Sequence, residues 1–522
     1  MLATLVTAVI SGLRGELVHV EVDVAPGLPV CHIVGLPDAA LSEARERVRG
    51  ALRNAGFEYP LSRITVNLAP ADRRKRGSAY DLAIAVGILV ASGQIAARAS
   101  WAMLGELSLG GTVLAVPGVL PMVATLARAG HRRIAVPAAD VAEASLVDGV
   151  EIVGVDGLDD AARLVAGPRG RTAGGATRRP PLVVSGAGPA AAAPGGTREP
   201  GGLEPADLAE VRGQAHARWA LEVALAGGHN LLLVGPPGAG KTLLARCVPG
   251  LLPPLDDEEA QEVAVIRSVA GLGAARTDWR RRPWRSPHHT TSYAAMVGGG
   301  PALGPGLVSL AHHGVLFLDE LAEFDRDVLD ALRQPLEDGT VEIARAAGSV
   351  RYPARLQLVA ATNPCRCGWH GDATKTCTCP GSEADRYVRR VSGPLLDRID
   401  LQVRMPRVTA ADLLAPGTEE SSAVVRERIA AARARAVDRN GGIPNARLAG
   451  GSVVERCRPT LAAQRLLDEV SSSAVLSART VHRLLRVART LGDLAGRDAV
   501  DEGDVSAAIS LRQEVLARNL AA

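Results

Sequence analysis

A chain of 522 residues is too long for one ordinary domain, and its length predicts two to four. Apolar residues make up 47% of the chain and aromatic residues only 2%, so the cores must be built from Ala, Val and Leu. The net charge of +3 excludes a globally basic protein, so any polyanion surface has to be local. The N-terminus lacks the basic region of a signal peptide, and no apolar run reaches membrane-spanning length, which predicts a cytoplasmic protein.

The first 166 residues predict an α+β domain with its own core. Residues 38–56 form an amphipathic pattern that Gly56 ends, and residues 79–93 read as a buried helix. Four β-branched runs that end in Pro or Gly predict strands within 16–36, 63–70, 132–138 and 151–156.

Residues 167–205 predict a linker. Nearly half of the stretch from Gly167 to Gly202 is Gly or Pro, with five arginines against one acidic residue. A solvated tether is the favoured interpretation, and contact with nucleic acid through the arginines is the alternative. Beyond it, short apolar runs typical of buried parallel strands precede residues 235 and 319. From about 406 onward the pattern is helical, near 422–438, 477–491 and 502–518.

The motif GPPGAGKT follows the first of these apolar runs directly and opens a predicted helix. In a strand–loop–helix context this spacing is a specific signal for a nucleotide-binding phosphate loop, whose backbone N–H groups face the phosphates. Lys241 supplies a point charge, and the Thr242 hydroxyl is a Mg²⁺ ligand. The predicted ATP-binding residues of the loop are Gly235, Pro236, Pro237, Gly238, Ala239, Gly240, Lys241 and Thr242.

Two later strands end in polar residues that complete this site. The run GVLFLDE places Asp319 at a strand end to hold the Mg²⁺ shell, with Glu320 beside it to polarise the attacking water. The run LVAATNP ends at Asn363, whose neutral amide can orient that water. A cap on the turn before Pro364 is the alternative role for Asn363. Together with the phosphate loop, the two runs predict an ATPase that uses Mg²⁺.

The order of phosphate loop, Asp-Glu strand, Asn strand, GPLLDRIDL and LSARTVHRLL resembles AAA+ ATPases of the Mg-chelatase and MCM-helicase branch. More narrowly, the chain outside the linker resembles the YifB/ComM family, also through VNLAPAD and RSPHHTTSYAAMVGGG. The resemblance implies an α/β fold with an AAA+ core of parallel sheet at 206–405 and a C-terminal helical lid at 406–522. It also implies a ring, usually a hexamer, with ATP at the subunit interfaces.

Two arginines acquire roles from the resemblance alone. Arg398 falls at the arginine-finger position and would reach the neighbouring subunit's γ-phosphate, and Arg479 falls at the lid sensor position. An ion pair with Asp397 or Asp400 is the alternative for Arg398. For Arg479 the alternative is a solvated helix face shared with Arg483 and Arg486.

Two basic stretches predict contacts with DNA. Residues Val341–Cys365 begin with two short strands about a small-residue turn, flanked by Arg345 and Arg351, where this branch of ATPases has a hairpin that points into the ring channel. An ordinary hairpin with exposed arginines is the alternative. The insert between the two phosphate motifs holds Trp279 and Trp284 among five arginines, which suits single-stranded nucleic acid: Arg276, Arg280, Arg281, Arg282 and Arg285.

Four of the seven cysteines lie in CRCGWHGDATKTCTC, a pattern of two C-x-C pairs. Four thiolates would close a tetrahedral Zn²⁺ site, with His370 as a possible substitute ligand and free thiols as the alternative. The predicted ligands are Cys365, Cys367, Cys377 and Cys379.

The N-terminal domain also resembles the proteolytic domain of Lon, in KRGSAYDLAIAVGILVASG and in the stretch from Gly105 onward. Aligning the turns puts Ala79 at the serine position and Leu120 at the lysine position, with Ser78 one residue away. Without a nucleophile and its base there is no acyl-enzyme route. The resemblance therefore implies an inactive binding or assembly module at 1–166.

The favoured function is a DNA motor with helicase or branch-migration activity in recombination or transformation, as implied by the ComM relatives. A Mg-chelatase motor subunit and a protein-remodelling ATPase are the alternatives. The near-neutral net charge leaves the protein-remodelling hypothesis open.

Overall fold

The computed structural model describes residues 1–35, 39–70, 77–167, 182–185, 205–274, 279–300, 303–345, 348–372, 375–414, 419–474 and 477–512. These residues form two units. The first consists of the described residues of Met1–Arg198, Asp257–Trp279 and Gly300–Pro305, and the second of those of Glu199–Asp256, Arg280–Gly299 and Gly306–Ala522. The helix Asp257–Val269 therefore belongs to the first unit, although it follows residues of the second unit in sequence.

Both units contain strands and helices. The strands are β1 (Leu2–Ser11), β2 (Arg14–Ala25), β3 (Val30–Val34), β4 (Arg63–Ala69), β5 (Ala102–Met103), β6 (Glu106–Leu107), β7 (Val113–Leu114), β8 (Arg133–Pro137), β9 (Glu151–Val155), β10 (Leu182–Ser185), β11 (Leu231–Val234), β12 (Trp284–Arg285), β13 (Gly298–Gly299), β14 (Gly304–Pro305), β15 (Val315–Leu318), β16 (Thr340–Arg345), β17 (Gly348–Pro353), β18 (Gln357–Thr362) and β19 (Leu401–Arg404). The α-helices are α1 (Ala39–Asn54), α2 (Asp81–Ala91), α3 (Val119–Arg128), α4 (Val141–Ala144), α5 (Leu158–Ala166), α6 (Ala215–Gly227), α7 (Lys241–Arg246), α8 (Val248–Leu251), α9 (Asp257–Val269), α10 (Tyr293–Val297), α11 (Leu307–Leu310), α12 (Arg326–Ala331), α13 (Arg333–Asp338), α14 (Gly381–Val388), α15 (Gly393–Leu396), α16 (Ala410–Leu414), α17 (Ser422–Asn440), α18 (Val453–Cys457), α19 (Leu461–Ala474), α20 (Ala478–Leu494) and α21 (Glu502–Ser510).

The first unit is built on a mixed sheet in the order β10-β9-β8-β5-β1-β2-β4-β3. Strands β1 and β2 pair antiparallel over their whole length, from Leu2 opposite Asp23 to Ser11 opposite Arg14. Every residue of α2 is buried, as its almost uniformly apolar sequence requires, and Gly87 lets this helix approach Val22 of β2. Helix α9 packs on α3 in this unit, where the Gly118 N–H donates to the Ser268 carbonyl at 2.8 Å.

Strand β10 lies within the stretch predicted to be an unstructured linker. Leu182–Ser185 pair antiparallel with β9, from Leu182 opposite Gly154 to Ser185 opposite Glu151. The short run LVVS favours a strand because it is β-branched, and it adds an edge to the sheet. Four residues of the predicted linker therefore form an edge strand of this sheet.

The second unit is built on a five-stranded parallel sheet in the order β12-β15-β18-β11-β19. Strands β11, β15 and β18 are buried at every position, which explains their continuous apolar sequences. Parallel strands that lie side by side present their carboxyl ends at one edge, and β18 lies between β15 and β11. This order decides where the polar residues that follow the strands meet.

Helices dominate the second unit after β19. Helices α17 and α20 pack on α6, and α20 also packs on α21, so the predicted helical patterns near 422–438 and 477–491 correspond to α17 and α20. The last pattern, near 502–518, corresponds to α21, with residues 513–522 outside the described part of the chain. Among the described residues, no helix combines the length and apolarity that crossing a membrane requires.

Candidate nucleotide site, arginine cluster and cysteine cluster

The three predicted phosphate motifs meet at the carboxyl edge of the parallel sheet. The phosphate loop follows β11, Asp319 follows β15, and Asn363 follows β18 between them. Gly235 at the loop entrance touches the strand-end backbone of β19, since a Cβ there would lie 2.4 Å from the Met405 carbonyl oxygen. Gly238 and Gly240 have φ values of 79° and 86°, which only glycine adopts without strain.

Lys241 is held at the centre of this edge. Its Nζ donates to the carbonyls of Gly235 at 2.7 Å and Pro236 at 3.0 Å, and to Asn363 Oδ1 at 3.1 Å. Burial lowers the pKa of Lys241 to about 8, against the opposing effect of Asp319 and Glu320. The structure thus brings Lys241 and Asn363 together, which the sequence alone placed 122 residues apart.

The two predicted Mg²⁺ ligands are in direct contact. The Thr242 hydroxyl donates to Asp319 Oδ2 at 2.7 Å. Glu320 is exposed, has a left-handed φ of 53°, and lies with its Oε2 3.3 Å from His289 Nδ1. Hydroxyl and carboxylate oxygens are the ligands that Mg²⁺ prefers, so Thr242 and Asp319 fit this ion.

Arg398 and Arg479 lie together on one carboxylate. Glu337 of α13 accepts from Arg398 through Oε2 and from Arg479 Nη2 through Oε1 at 2.6 Å. Although partial burial alone would raise it, the two guanidinium groups lower the pKa of Glu337. The three residues line a cavity of about 640 Å³, and among its described lining residues none belongs to the phosphate loop.

This cavity is rich in arginine. Besides Arg398 and Arg479 it is lined by Arg447, Arg483 and Arg486. Burial, together with the nearby charge of Arg355, lowers the pKa of Arg447 to about 10. The arrangement suits a multiply charged anion such as a triphosphate.

The structure gives Arg398 and Arg479 a different partner from those considered in the sequence analysis. Arg398 pairs with Glu337 and not with Asp397 or Asp400, while Asp400 lies 3.9 Å from Arg483. Arg479 is exposed, but Arg483 is buried, so the two do not share a solvated helix face.

The predicted hairpin is present as β16 and β17, paired antiparallel from Thr340 opposite Pro353 to Arg345 opposite Gly348. Val341 and Tyr352 are buried on one face, and Arg351 lies opposite Glu342 on the other, 3.9 Å from its carboxylate. Arg345 shares the face of Val341 but is exposed at the hairpin end. The two arginines therefore lie on opposite faces, and the turn residues 346–347 are outside the described part.

Some residues of the basic insert are packed within the fold, and others are exposed. Arg282 donates to the carbonyls of Pro253 at 2.8 Å and His313 at 2.8 Å, which fixes it within the fold. Trp284 belongs to β12 and stacks on Phe317 of β15 at 5.5 Å, so it is not displayed for base stacking. Arg280 and Arg281 are exposed, and Arg276 lies outside the described residues.

The four predicted cysteine ligands converge. Cys365 Sγ lies 3.4 Å from Cys367 Sγ and 3.7 Å from Cys377 Sγ, and all four sulfur atoms lie within 4.8 Å of one another. None of the four forms a disulfide. His370 is not part of the cluster but donates its backbone N–H to Cys365 Sγ at 3.3 Å. A tetrahedral ion with bonds of about 2.3 Å to sulfur needs sulfur atoms about 3.8 Å apart, so the cluster fits Zn²⁺.

The first unit has apolar packing at the positions aligned with the Lon dyad. Ala79 is buried among Val116, Val119 and other apolar residues, and Leu120 is buried at the start of α3. Ser78 directly precedes Ala79, and its hydroxyl donates to Glu106 Oε2.

Sequence reasoning missed three residues of these sites. Glu337 carries no local signal, because its partners are 61 and 142 residues away. His289 was given no role, whereas its Nδ1 lies 3.3 Å from Glu320 Oε2. Gly368 was not considered, although a Cβ there would lie 2.4 Å from Pro237 of the phosphate loop.

Family models cover most of the chain. Residues 207–413 match the model described as magnesium chelatase, subunit ChlI. Residues 20–140 match the model for subunit ChlI of Mg-chelatase, and residues 419–512 match its C-terminal model.

Curated relatives align over almost the full length. An uncharacterized protein of Mycobacterium tuberculosis is 45% identical over 515 residues, which cover 97% of each chain. The uncharacterized protein YifB of Escherichia coli is 40% identical over 506 residues, 96% of this chain and 95% of that one. The competence protein ComM of Haemophilus influenzae is 40% identical over 507 residues, 97% of this chain and 96% of that one.

Proposed function

Because the chain belongs to the YifB/ComM family of Mg-chelatase-like proteins, we propose that it is a ring-forming AAA+ ATPase that couples ATP hydrolysis to remodelling of DNA. The family supports an AAA+-type ATPase role, with ATP and Mg²⁺ as cofactors. The observation that carries the proposal is the meeting of Lys241, Thr242, Asp319 and Asn363 at one sheet edge. The name of the ComM relative, a competence protein, supports a DNA-related role. Within that role we propose helicase or branch-migration activity in the cytoplasm.

At this edge the chain's own residues divide the work of hydrolysis. Residues 235–242 bind the phosphates, and Thr242 and Asp319 hold the Mg²⁺. Glu320, exposed beside Asp319, polarises the attacking water, and Asn363 orients it. When bound, Mg²⁺ neutralises the charge that develops on the phosphate oxygens.

Arg398 and Arg479 act on the ATP of a neighbouring subunit. Both line a cavity whose described residues include none of their own chain's phosphate loop, which supports a nucleotide from another copy. A ring, in the form of a hexamer, supplies such a neighbour to every subunit. Helices from α16 onward form the lid that carries Arg479, and residues 1–166 form the Lon-like, proteolytically inactive module.

The DNA surface consists of exposed arginines. Arg345 and Arg351 on the hairpin and Arg280 and Arg281 in the insert contact the backbone phosphates. We assign Arg282 to the fold, because its guanidinium is bonded to backbone carbonyls.

Zinc completes the proposed cofactors. We assign one structural Zn²⁺ to Cys365, Cys367, Cys377 and Cys379, since their sulfur atoms have tetrahedral spacing.

The test is ATP hydrolysis with and without branched DNA. We expect four-way or forked DNA to stimulate the parent, and Arg345→Ala with Arg351→Ala to abolish stimulation while basal hydrolysis is unchanged. Arg45→Ala with Arg326→Ala is the control of equal charge, because both arginines are exposed elsewhere. Stimulation by unfolded protein and not by DNA would favour a protein-remodelling ATPase. If neither DNA nor unfolded protein stimulates ATP hydrolysis, the Mg-chelatase motor subunit becomes the favoured hypothesis.

A further inference from the structure

The cysteine cluster is in contact with the phosphate loop. Gly368 is buried within the cysteine loop at a φ of 84°, and a Cβ on it would lie 2.4 Å from Cδ and 2.8 Å from Cγ of Pro237. The bare backbone of Gly368 is therefore packed on the ring of Pro237. Because Gly368 directly follows Cys367 in sequence, this contact joins the cysteine loop to the phosphate loop.

The same loop is fixed to the end of β19. Arg404 donates to the carbonyls of Gly371 at 2.7 Å and His370 at 3.3 Å. Trp369 has the ammonium of Lys375 4.3 Å above its ring and the guanidinium of Arg407 at 6.0 Å. Four thiolates around one Zn²⁺ leave a net negative charge, and three cations contact residues 369–371 of the same loop.

The cluster is also adjacent to Asn363. Cys365 is buried and follows Asn363 by two residues, while Asn363 Oδ1 accepts from Lys241 at 3.1 Å. The cysteine loop therefore borders the nucleotide site twice, through Pro237 and through Asn363. Both borders belong to one short loop that holds the four clustered sulfur atoms.

We propose that a Zn²⁺ ion bound by the four cysteines supports the phosphate loop through the Gly368–Pro237 contact, so that ATP affinity depends on the metal. The inference rests on the proposed nucleotide site. A small loop with few apolar residues is not stable by itself. The free energy of metal binding then contributes to the free energy of folding of the loop. Without the ion the loop loses its shape, and Pro237 and Asn363 lose their support.

The first measurement is metal content, on the full-length chain. We expect elemental analysis to give one zinc per chain, no iron, and complete loss of zinc in Cys377→Ser with Cys379→Ser. Cys31→Ser is the matched control, because Cys31 lies in β3 of the first unit and keeps the cluster intact. A parent that folds in zinc-supplemented medium with no bound metal, or with iron instead, overturns the zinc assignment.

The second measurement is the Kd for a fluorescent ATP analogue in the same proteins. We expect the cysteine variants to bind at least about tenfold more weakly than the parent and Cys31→Ser to bind like the parent. Gly368→Ala tests the contact itself, because its Cβ would displace Pro237. We expect it to keep zinc and to lose nucleotide affinity. Parent-like affinity in either the zinc-free variants or Gly368→Ala overturns the proposed support.

Failure of the proposed ATPase would be distinguishable. A parent with one zinc per chain that binds no ATP refutes the nucleotide site and not the metal site. A parent that hydrolyses ATP with no zinc refutes the metal site and leaves the ATPase.

Discussion

Arg479 Nη2 donates to Glu337 Oε1 at 2.6 Å, and the other oxygen of the same carboxylate accepts from Arg398. One side chain thus holds both arginines that we propose to act on a neighbour's ATP. A carboxylate shared in this way sets the spacing and direction of the two guanidinium groups. Glu337 is therefore a positioning residue, since it is proposed to act only through the arginines.

We predict that Glu337→Gln lowers kcat for ATP hydrolysis about tenfold and changes KM less than threefold, because the arginines act mainly in the transition state. Steady-state kinetics and a melting curve check this, and the melting temperature should stay near that of the parent, since Glu337 is exposed. Asp327→Asn is the control, because Asp327 is an exposed carboxylate of α12 that does not line the cavity.

A double-mutant cycle separates positioning from a general charge effect. Arg398→Ala alone should reduce kcat by about a thousandfold or more. In a background of Arg398→Ala with Arg479→Ala, Glu337→Gln should have no further effect. A further tenfold loss there would mean that Glu337 acts on something other than the two arginines.

Much of the nucleotide site could be predicted from sequence because each part follows a buried apolar strand. Lys241, Asp319 and Asn363 are linked to strand ends, and parallel strands bring their ends to one edge. Glu337 could not be predicted in this way. Its role comes from the packing of α13 beside two distant segments, and nothing in the local pattern RQPLEDG marks it.

The basic insert shows why residue type alone misleads. Trp284 and Arg282 belong to the densest basic and aromatic stretch of the sequence, yet one stacks on Phe317 and the other bonds to backbone carbonyls. Because the chain has so few aromatic residues, a tryptophan in a sheet contributes more by packing in the core than by lying exposed for contact with bases. Helix α9 is a similar case, because its sequence does not reveal that it packs on α3.

We predict that ATP binding takes up a proton near pH 8. Burial lowers the pKa of Lys241 to about 8 in the free site, and bound phosphates restore the charged form. Below pH 8 the lysine is already charged, so affinity is constant. Above pH 8 it must be protonated on binding, so the Kd should rise by up to about tenfold per pH unit.

Titration calorimetry in buffers of different ionisation enthalpy measures this uptake directly. Lys241→Arg is the matched control, because arginine stays charged throughout and should show no uptake. A parent whose Kd is flat from pH 7.5 to pH 9.5 would contradict the prediction.

A second titration is expected in the first unit. Burial raises the pKa of Glu143 to about 6, and the charge of Asp140 adds to the effect. The folded state therefore binds more protons than the unfolded state between about pH 4.5 and 6, so this group's contribution to stability falls as pH rises through that range. Above pH 6 the buried carboxylate costs on the order of 1–2 kcal/mol.

We predict that Glu143→Gln raises the melting temperature at pH 7.5 and leaves it unchanged at pH 4.5. Glutamine keeps an oxygen to accept from the Leu120 N–H, which Glu143 does at 3.4 Å. Asp23→Asn, an exposed carboxylate of the same unit, should shift neither value. Equal shifts of Glu143→Gln at both pH values would assign the effect to packing and not to charge.

The last prediction concerns Asp493 of α20, which is 1% exposed. Its carboxylate accepts from Arg439 at 2.5 and 2.7 Å, from Asn445 at 2.8 Å, and lies 3.2 Å from Arg489. Arg489 is fully buried, so removal of the carboxylate takes away its ion pair and leaves it only the backbone carbonyls that it also contacts. Such a change typically costs about 3–5 kcal/mol.

We therefore expect Asp493→Ala to destabilise the second unit by about that amount, measured as a loss in denaturant midpoint. Asp438→Ala is the control, because Asp438 is an exposed carboxylate next to Arg439 in sequence. The network continues from Asn445 to Thr490, whose hydroxyl lies 2.8 Å from His229 Nε2, two residues before β11. Because β11 leads into the phosphate loop, the variant should also weaken ATP binding at denaturant concentrations where the control still binds. A loss below about 1 kcal/mol would mean that Arg439 and Arg489 find other acceptors.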